Sequence, residues 1–148
     1  MLRNMLIIGS FLGTLAFGSA FAKENANPRV QVDVSAKKDA SGSYLVNFSV
    51  KPQSGMQLTL EAPWKLTLLE SAGLSYQGSA RQKEKDSKKQ YIYTKAEMDD
   101  KLPGYLVKVD KNNQKASEIS FTLEAFSCTK DKSQCFKDVV KETYTLKD

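Results

Sequence analysis

The chain contains no histidine. That absence excludes Ser-His-Asp and Cys-His catalysis and every imidazole metal site. Cysteine is almost absent too: Cys128 and Cys135 are the only two in 148 residues, too few for a structural zinc site. No glycine-rich phosphate loop and no P-loop lysine motif occurs. Most hydrolytic and nucleotide-dependent chemistry is thereby set aside, and no small cofactor is expected. Arginine forms no cluster, and the lysines are scattered among acids without an aromatic stacking pattern, so no nucleic-acid partner is expected. The formal net charge of +5 is modest and favours solubility and acidic partners.

What is present begins with an export pattern. Residues 1–22 read as a secretory signal peptide. Arg3 supplies the positive start, Met5 to Phe17 the apolar run, and Ala20-Phe21-Ala22 the small-x-small cleavage site, so the mature chain begins at Lys23. A transmembrane anchor is the competing reading, but it needs about 20 apolar residues, and this run is short and broken by Gly and Ser. No cysteine stands at the new N-terminus, so lipoprotein anchoring is not indicated. With no later apolar stretch, no stable membrane insertion is expected after cleavage. The product is expected to be soluble and exported, to a bacterial periplasm or alternatively secreted or at the cell surface. Residues 23–148 are the size of one domain.

The rest reads as β-structure. Val30, Val32 and Val34 alternate with polar residues, as do Tyr44, Val46, Phe48 and Val50, and then Met56, Leu58 and Leu60. Leu66 and Leu68 resume the pattern after Pro63, and Tyr105, Val107 and Val109 repeat it. Turns are expected at Asp39–Ser43, Pro52–Gly55, Ser71–Gly73 and Asp110–Ser117. Gln77 to Lys89 is polar and lysine-rich and reads as a solvated loop, or else a docking surface. Glu97 to Asp100 has room for one helical turn. Glu118–Ser127 and Phe136–Leu146 are the last two strands. Eight or so short strands with turns about every ten residues predict an all-β, immunoglobulin-like antiparallel β-sandwich, with a small barrel as the runner-up. Trp64 reads as a core anchor. Tyr76, Tyr91, Tyr93 and Tyr105 read as core or sheet-face residues.

The cysteine segment allows a sharper expectation. If Cys128 faces Cys135 across an antiparallel hairpin, opposed residues have numbers summing to 263. Ile119 then faces Tyr144, Phe121 faces Glu142, Leu123 faces Val140, and Ala125 faces Asp138, together forming the more apolar face. The cysteines fall on the more polar face at the loop end. Such a bond closes a loop of only 8 residues, contributing about 2.5 kcal/mol by chain entropy against roughly 4–5 for a loop near 100. It is not the inter-sheet bridge of antibody-type domains. At a loop end a sulfur is open to a visiting thiolate. Lys130 and Lys132 favour the thiolate form and Asp131 opposes it. Phe126 and Phe136 flank the sulfurs, placed either to shield them or to meet a partner. From these residues alone, a structural staple and an exchanging pair both remain open.

Phe126-Ser127-Cys128, Cys135-Phe136 and Thr143-Tyr144-Thr145-Leu146 together resemble the N-terminal periplasmic domain of the DsbD family of thiol:disulfide interchange proteins. The resemblance is tightest from Phe126 to Leu146; over residues 30–148 it rests on strand count and order. It implies an immunoglobulin-like sandwich whose Cys128 and Cys135 exchange electrons through a mixed disulfide. It also implies partners with thiol-disulfide chemistry: a membrane reductase on one side, periplasmic thioredoxin-like proteins on the other. Two departures stand out. Six residues separate these cysteines where the family type has five. The family's membrane and thioredoxin-like domains have no counterpart in the sequence, so the reductant comes in trans. The family's aromatic-tipped cap loop is assigned to Leu74–Gly78, with Tyr76 as the covering residue. The leading expectation is a periplasmic thiol-disulfide exchange module acting through Cys128–Cys135. The alternative is a non-enzymatic secreted β-sandwich binding module whose hairpin disulfide is structural, with a surface adhesin as a third reading.

Overall fold

The structure, a computed structural model, describes residues 28–147 other than 79–80, 95–96 and 99–102. The expected signal peptide, residues 1–22, lies outside the described residues. Eleven strands follow one another: β1 (Val30–Lys38), β2 (Tyr44–Pro52), β3 (Met56–Leu58), β4 (Lys65–Leu69), β5 (Leu74–Gln77), β6 (Arg81–Lys85), β7 (Lys88–Tyr93), β8 (Glu97–Met98), β9 (Pro103–Lys111), β10 (Glu118–Thr129) and β11 (Cys135–Thr145). Among the described residues there is no helix.

The strands form two antiparallel sheets packed face to face, an all-β sandwich rather than a barrel. One sheet runs β1-β2-β9-β5, with β8 beside β9; the other runs β11-β10-β4-β7-β6, with β3 beside β10. Period-2 alternation explains the layering. Val46, Phe48, Val50, Val107 and Val109 project inward from the first sheet. Leu66, Leu68, Ile119, Leu123 and Ala125 project inward from the second, and all are sealed from solvent. Phe48 and Phe121 meet edge-to-face between the layers, with ring centroids 5.1 Å apart. Trp64 is buried as expected, and its Nε1 donates to the Thr59 carbonyl at 2.7 Å.

Turn chemistry sets the connections. Between β1 and β2, Asp39 Oδ1 accepts from the Ser41 and Ser43 amides, and Gly42 takes φ +86°. The polar segment around Arg81–Lys89, expected as a loop, is instead the β6–β7 hairpin. Its turn residues Asp86 and Ser87 both have positive φ, 51° and 64°, the backbone of a two-residue type I′ turn. Lys83 to Lys89 are all exposed, so neither face carries the apolar alternation by which a strand is read from sequence. Glu97 and Met98 pair with Gly104 and Pro103 as a short strand, not a helical turn. The rest of that expected turn, Asp99 and Asp100, lies outside the described residues.

Candidate functional site

The β10–β11 hairpin has the register expected from the cysteine pairing: Ile119 opposes Tyr144, Phe121 Glu142, Leu123 Val140, Ala125 Asp138, and Cys128 Cys135. The two sulfurs are bonded at 2.07 Å, with Cα atoms 4.0 Å apart. The Thr129 amide donates to the Gln134 carbonyl at 2.9 Å. The cysteines therefore occupy the next, non-hydrogen-bonded pair, where opposed side chains stand closest in an antiparallel ladder.

The tip of the hairpin is held by one carboxylate. Asp131 Oδ1 accepts from the Thr129 hydroxyl, from the Ser133 amide at 3.1 Å and from the Ser133 hydroxyl at 2.8 Å. Hydrogen bonds from Thr129 and then Ser133 hold its carboxyl down to about 2. The negative charge at the tip is thus tied into the loop, while Lys132 lines the space beside the sulfurs.

The two sulfurs have different surroundings. On the side of β10 away from β11 lies β3, where Gln57 pairs with Cys128 and the Thr59 amide donates to the Phe126 carbonyl at 3.0 Å. With neighbours on both sides, Cys128 is only 4% exposed although it sits on the outer face. Cys135 begins the outermost strand and is exposed. A groove of about 680 Å³ opens onto both cysteines. Leu58, Leu60, Glu61 and Lys132 also line it. Leu60 is 44% exposed, an apolar side chain presented beside the disulfide. The segment that carries it is fixed by the Trp64 bond to Thr59.

Behind the disulfide, on the core side, Asp138 is fully buried. It accepts from Ser127 Oγ at 2.7 Å, the Arg29 amide at 3.1 Å and Arg29 Nη1 at 3.3 Å. The Arg29 guanidinium lies 3.7 Å from the centre of the Phe136 ring, a cation–π contact. On the outer face, burial raises the Glu124 carboxyl, but hydrogen bonds from Lys137 and Lys65 outweigh it and hold the group below its ordinary value.

No family model, curated protein or solved structure gives a significant match to this chain. The site is therefore read from its own geometry.

Of the residues expected at the site, Cys128, Cys135 and Phe126 share the outer face, while Phe136, opposite Ser127, lies on the core-side face; both phenylalanines are half-buried. Phe126 packs against the core cluster, and Phe136 is covered by Arg29. Tyr76, expected as the cover, is not brought to the cysteines. It is 6% exposed on β5, edge-to-face with Tyr91, and its hydroxyl donates to the Leu69 carbonyl at 3.2 Å. Leu69 adjoins Leu68, which pairs with Phe121, toward the opposite end of β10 from Cys128. The segment that borders the disulfide is Gln57–Glu61 instead. Sequence reasoning read Met56, Leu58 and Leu60 as one alternating strand; β3 ends at Leu58, and Leu60 turns out to solvent. The nearness of Leu60 to Pro63, which disfavours strand continuation, was the available signal.

Proposed function

We propose that this protein is a thiol-disulfide exchange module that passes electrons between protein partners through Cys128 and Cys135. The observation that carries the reading is the asymmetry of the pair: an exposed Cys135 bonded to a buried Cys128 at the mouth of a groove. A partner thiolate attacks Cys135 Sγ. A new bond joins the partner sulfur to Cys135, the Cys128–Cys135 bond breaks, and its electron pair leaves on Cys128 as a thiolate, which takes a proton from solvent. A second thiolate of the partner then attacks the partner's own sulfur in the mixed disulfide and releases Cys135. The partner loses two electrons and the protein gains them. Lys132, lining the groove, favours both the approaching and the departing thiolate.

This reading extends the likeness to the DsbD N-terminal domain. It takes the sandwich to be immunoglobulin-like, the chain to be exported to the periplasm, and the partners to be a membrane reductase and thioredoxin-like proteins. The exposed Leu60 beside the sulfurs fits a protein partner better than a small thiol.

Two measurements test it. The reduction potential is expected above about −300 mV, in the range of exchanging rather than structural bonds. Cys128→Ser, which leaves the exposed thiol, is expected to capture protein partners as mixed disulfides, and Cys135→Ser, which leaves the buried one, is not. A potential below that value with no capture by either variant would return the protein to the staple reading, a secreted binding module. In that case reduction is expected only to destabilise the fold by about 2.5 kcal/mol.

A further inference from the structure

The bonding parity of the last hairpin extends past the disulfide to the sheet edge. Because Thr129 bonds Gln134, the residues of β11 whose backbone groups turn toward β10 are Phe136, Asp138 and Val140. Those of Cys135, Lys137 and Val139 turn the other way, toward the open edge of the second sheet. No described residue hydrogen-bonds them. The side chains of these same residues lie on the outer face, with the cysteines. Cys135 is therefore at once the exposed sulfur and the first docking position of an unpaired strand edge.

We propose that the partner's reacting cysteine arrives on an extended segment that adds as a further strand along Cys135–Val139. This rests on the exchange reading above and names what the site binds. The argument is spatial. Side chains at one level of a sheet stand in a row, about 4.8 Å from strand to strand. Cys128 on β10 and Cys135 on β11 are two members of such a row. An added strand supplies the third, placing its cysteine opposite Cys135 on the side away from Cys128. That is the side from which an attacking thiolate must come for Cys128 to leave along the same line. Pairing with the edge thus positions the nucleophile as well as binding the segment.

Charge defines the segment further. The outer-face side chains leading from the sulfur are Lys137, whose ammonium pairs with Glu124 of β10, and Val139, while the one acid of that stretch of β11, Asp138, is turned inward and sealed. Lys132 stands on the groove side. Lys132 favours a thiolate opposite Cys135, and an acidic side chain two residues on would share Lys137 with Glu124.

The test uses the full chain in its oxidised form and a short synthetic peptide with one cysteine and an acid two residues away. Mixed-disulfide formation is followed by mass spectrometry, with dithiothreitol as the reference thiol. N-methylation of the peptide at positions two residues from its cysteine blocks the amides that would face β11 and is expected to slow exchange about tenfold or more. Methylation one residue from the cysteine, on amides facing away, is expected to leave the rate within about twofold. Lys137→Pro removes an outward amide without touching the bonds to β10 and is expected to slow the peptide but not dithiothreitol; Lys137→Ala separates the loss of charge. If the proline variant does not fold, the methylated peptides on the unaltered protein decide. Equal rates for both methylated peptides would overturn the edge proposal while dithiothreitol still reduced the bond. Resistance of the bond to every thiol would overturn the exchange reading itself. A protein whose exchange slows with its own concentration, through a dimer, would show a second copy on the edge and overturn this assignment of the occupant.

Discussion

Ser127 donates from its hydroxyl to Asp138 across 2.7 Å, inside the core and one residue from the disulfide. The neighbouring β10 residue, Cys128, faces the opposite side, so the same pair of strands presents a redox-capable bond outward and a sealed carboxylate inward. Arg29, immediately before β1 of the other sheet, reaches that carboxylate. The sandwich is therefore clamped directly behind the site.

Asp138 is expected to matter more than its size implies. Asp138→Ala leaves Ser127 and the Arg29 amide without their acceptor, and a loss of about 3 kcal/mol is expected. Ser127→Ala, which removes one donor, should lose about 1 kcal/mol. Urea unfolding of both variants measures this. A loss for Asp138→Ala no larger than that for Ser127→Ala would mean that the clamp is not formed.

Leu60 separates docking from folding. Being largely exposed, it can become Leu60→Asp with a stability change within about 0.5 kcal/mol. Exchange with a protein partner is expected to slow about fivefold, the equivalent of burying half a leucine side chain, while reduction by dithiothreitol stays unchanged. Stopped-flow rates with both reductants give the comparison.

Acid is expected to loosen two turns. Hydrogen bonds from Ser41, aided by Lys108, hold Asp39 down to about 2, and those from Thr129 and Ser133 do the same for Asp131, both from an ordinary 3.8. A carboxyl that is more acidic in the folded than in the unfolded chain contributes stability fully above its unfolded value and loses it as pH falls through the folded one. The contribution of these turns is thus intact at neutral pH and is lost from just below pH 4 to about pH 2. Urea midpoints should fall across that window, and Asp39→Asn or Asp131→Asn should make the fall shallower.

Gly104 tests the packing of the first sheet. A Cβ there would lie 2.2 Å from the Phe48 carbonyl oxygen, a backbone atom that cannot swing aside. Gly104→Ala is expected to cost about 1–3 kcal/mol. A thermal midpoint unchanged from the parent would show that β2 and β9 have slack where they lie closest.

The hairpin register was legible because it depends on local facts: one pair of cysteines, a short turn, and apolar residues two apart. The same logic found β1, β2, β9 and the turn at Asp39. It failed for β6 and the start of β7, because Lys83 to Lys89 are exposed on both faces and carry no apolar period, and because Asp86-Ser87 lacks the glycine that usually marks a type I′ turn. For Tyr76 the reading as a core or sheet-face residue holds, and the cap assigned by the family resemblance does not. β5 lies along Lys108–Lys111 and folds the ring into the core, away from the cysteines.

By itself the sequence determined that the chain is all-β and, once Cys128 is set opposite Cys135, the register of the last ribbon and the face the two cysteines share. Those properties follow from side-chain alternation and from neighbours close along the chain. Which sulfur is covered was decided only by the tertiary structure. Gln57, far upstream, pairs with Cys128, while among the described residues no strand pairs with β11 on its other side, and Cys135 is exposed. Burial depends on which distant segment is laid alongside, and a periodic pattern carries the face of a residue but not the identity of its neighbour.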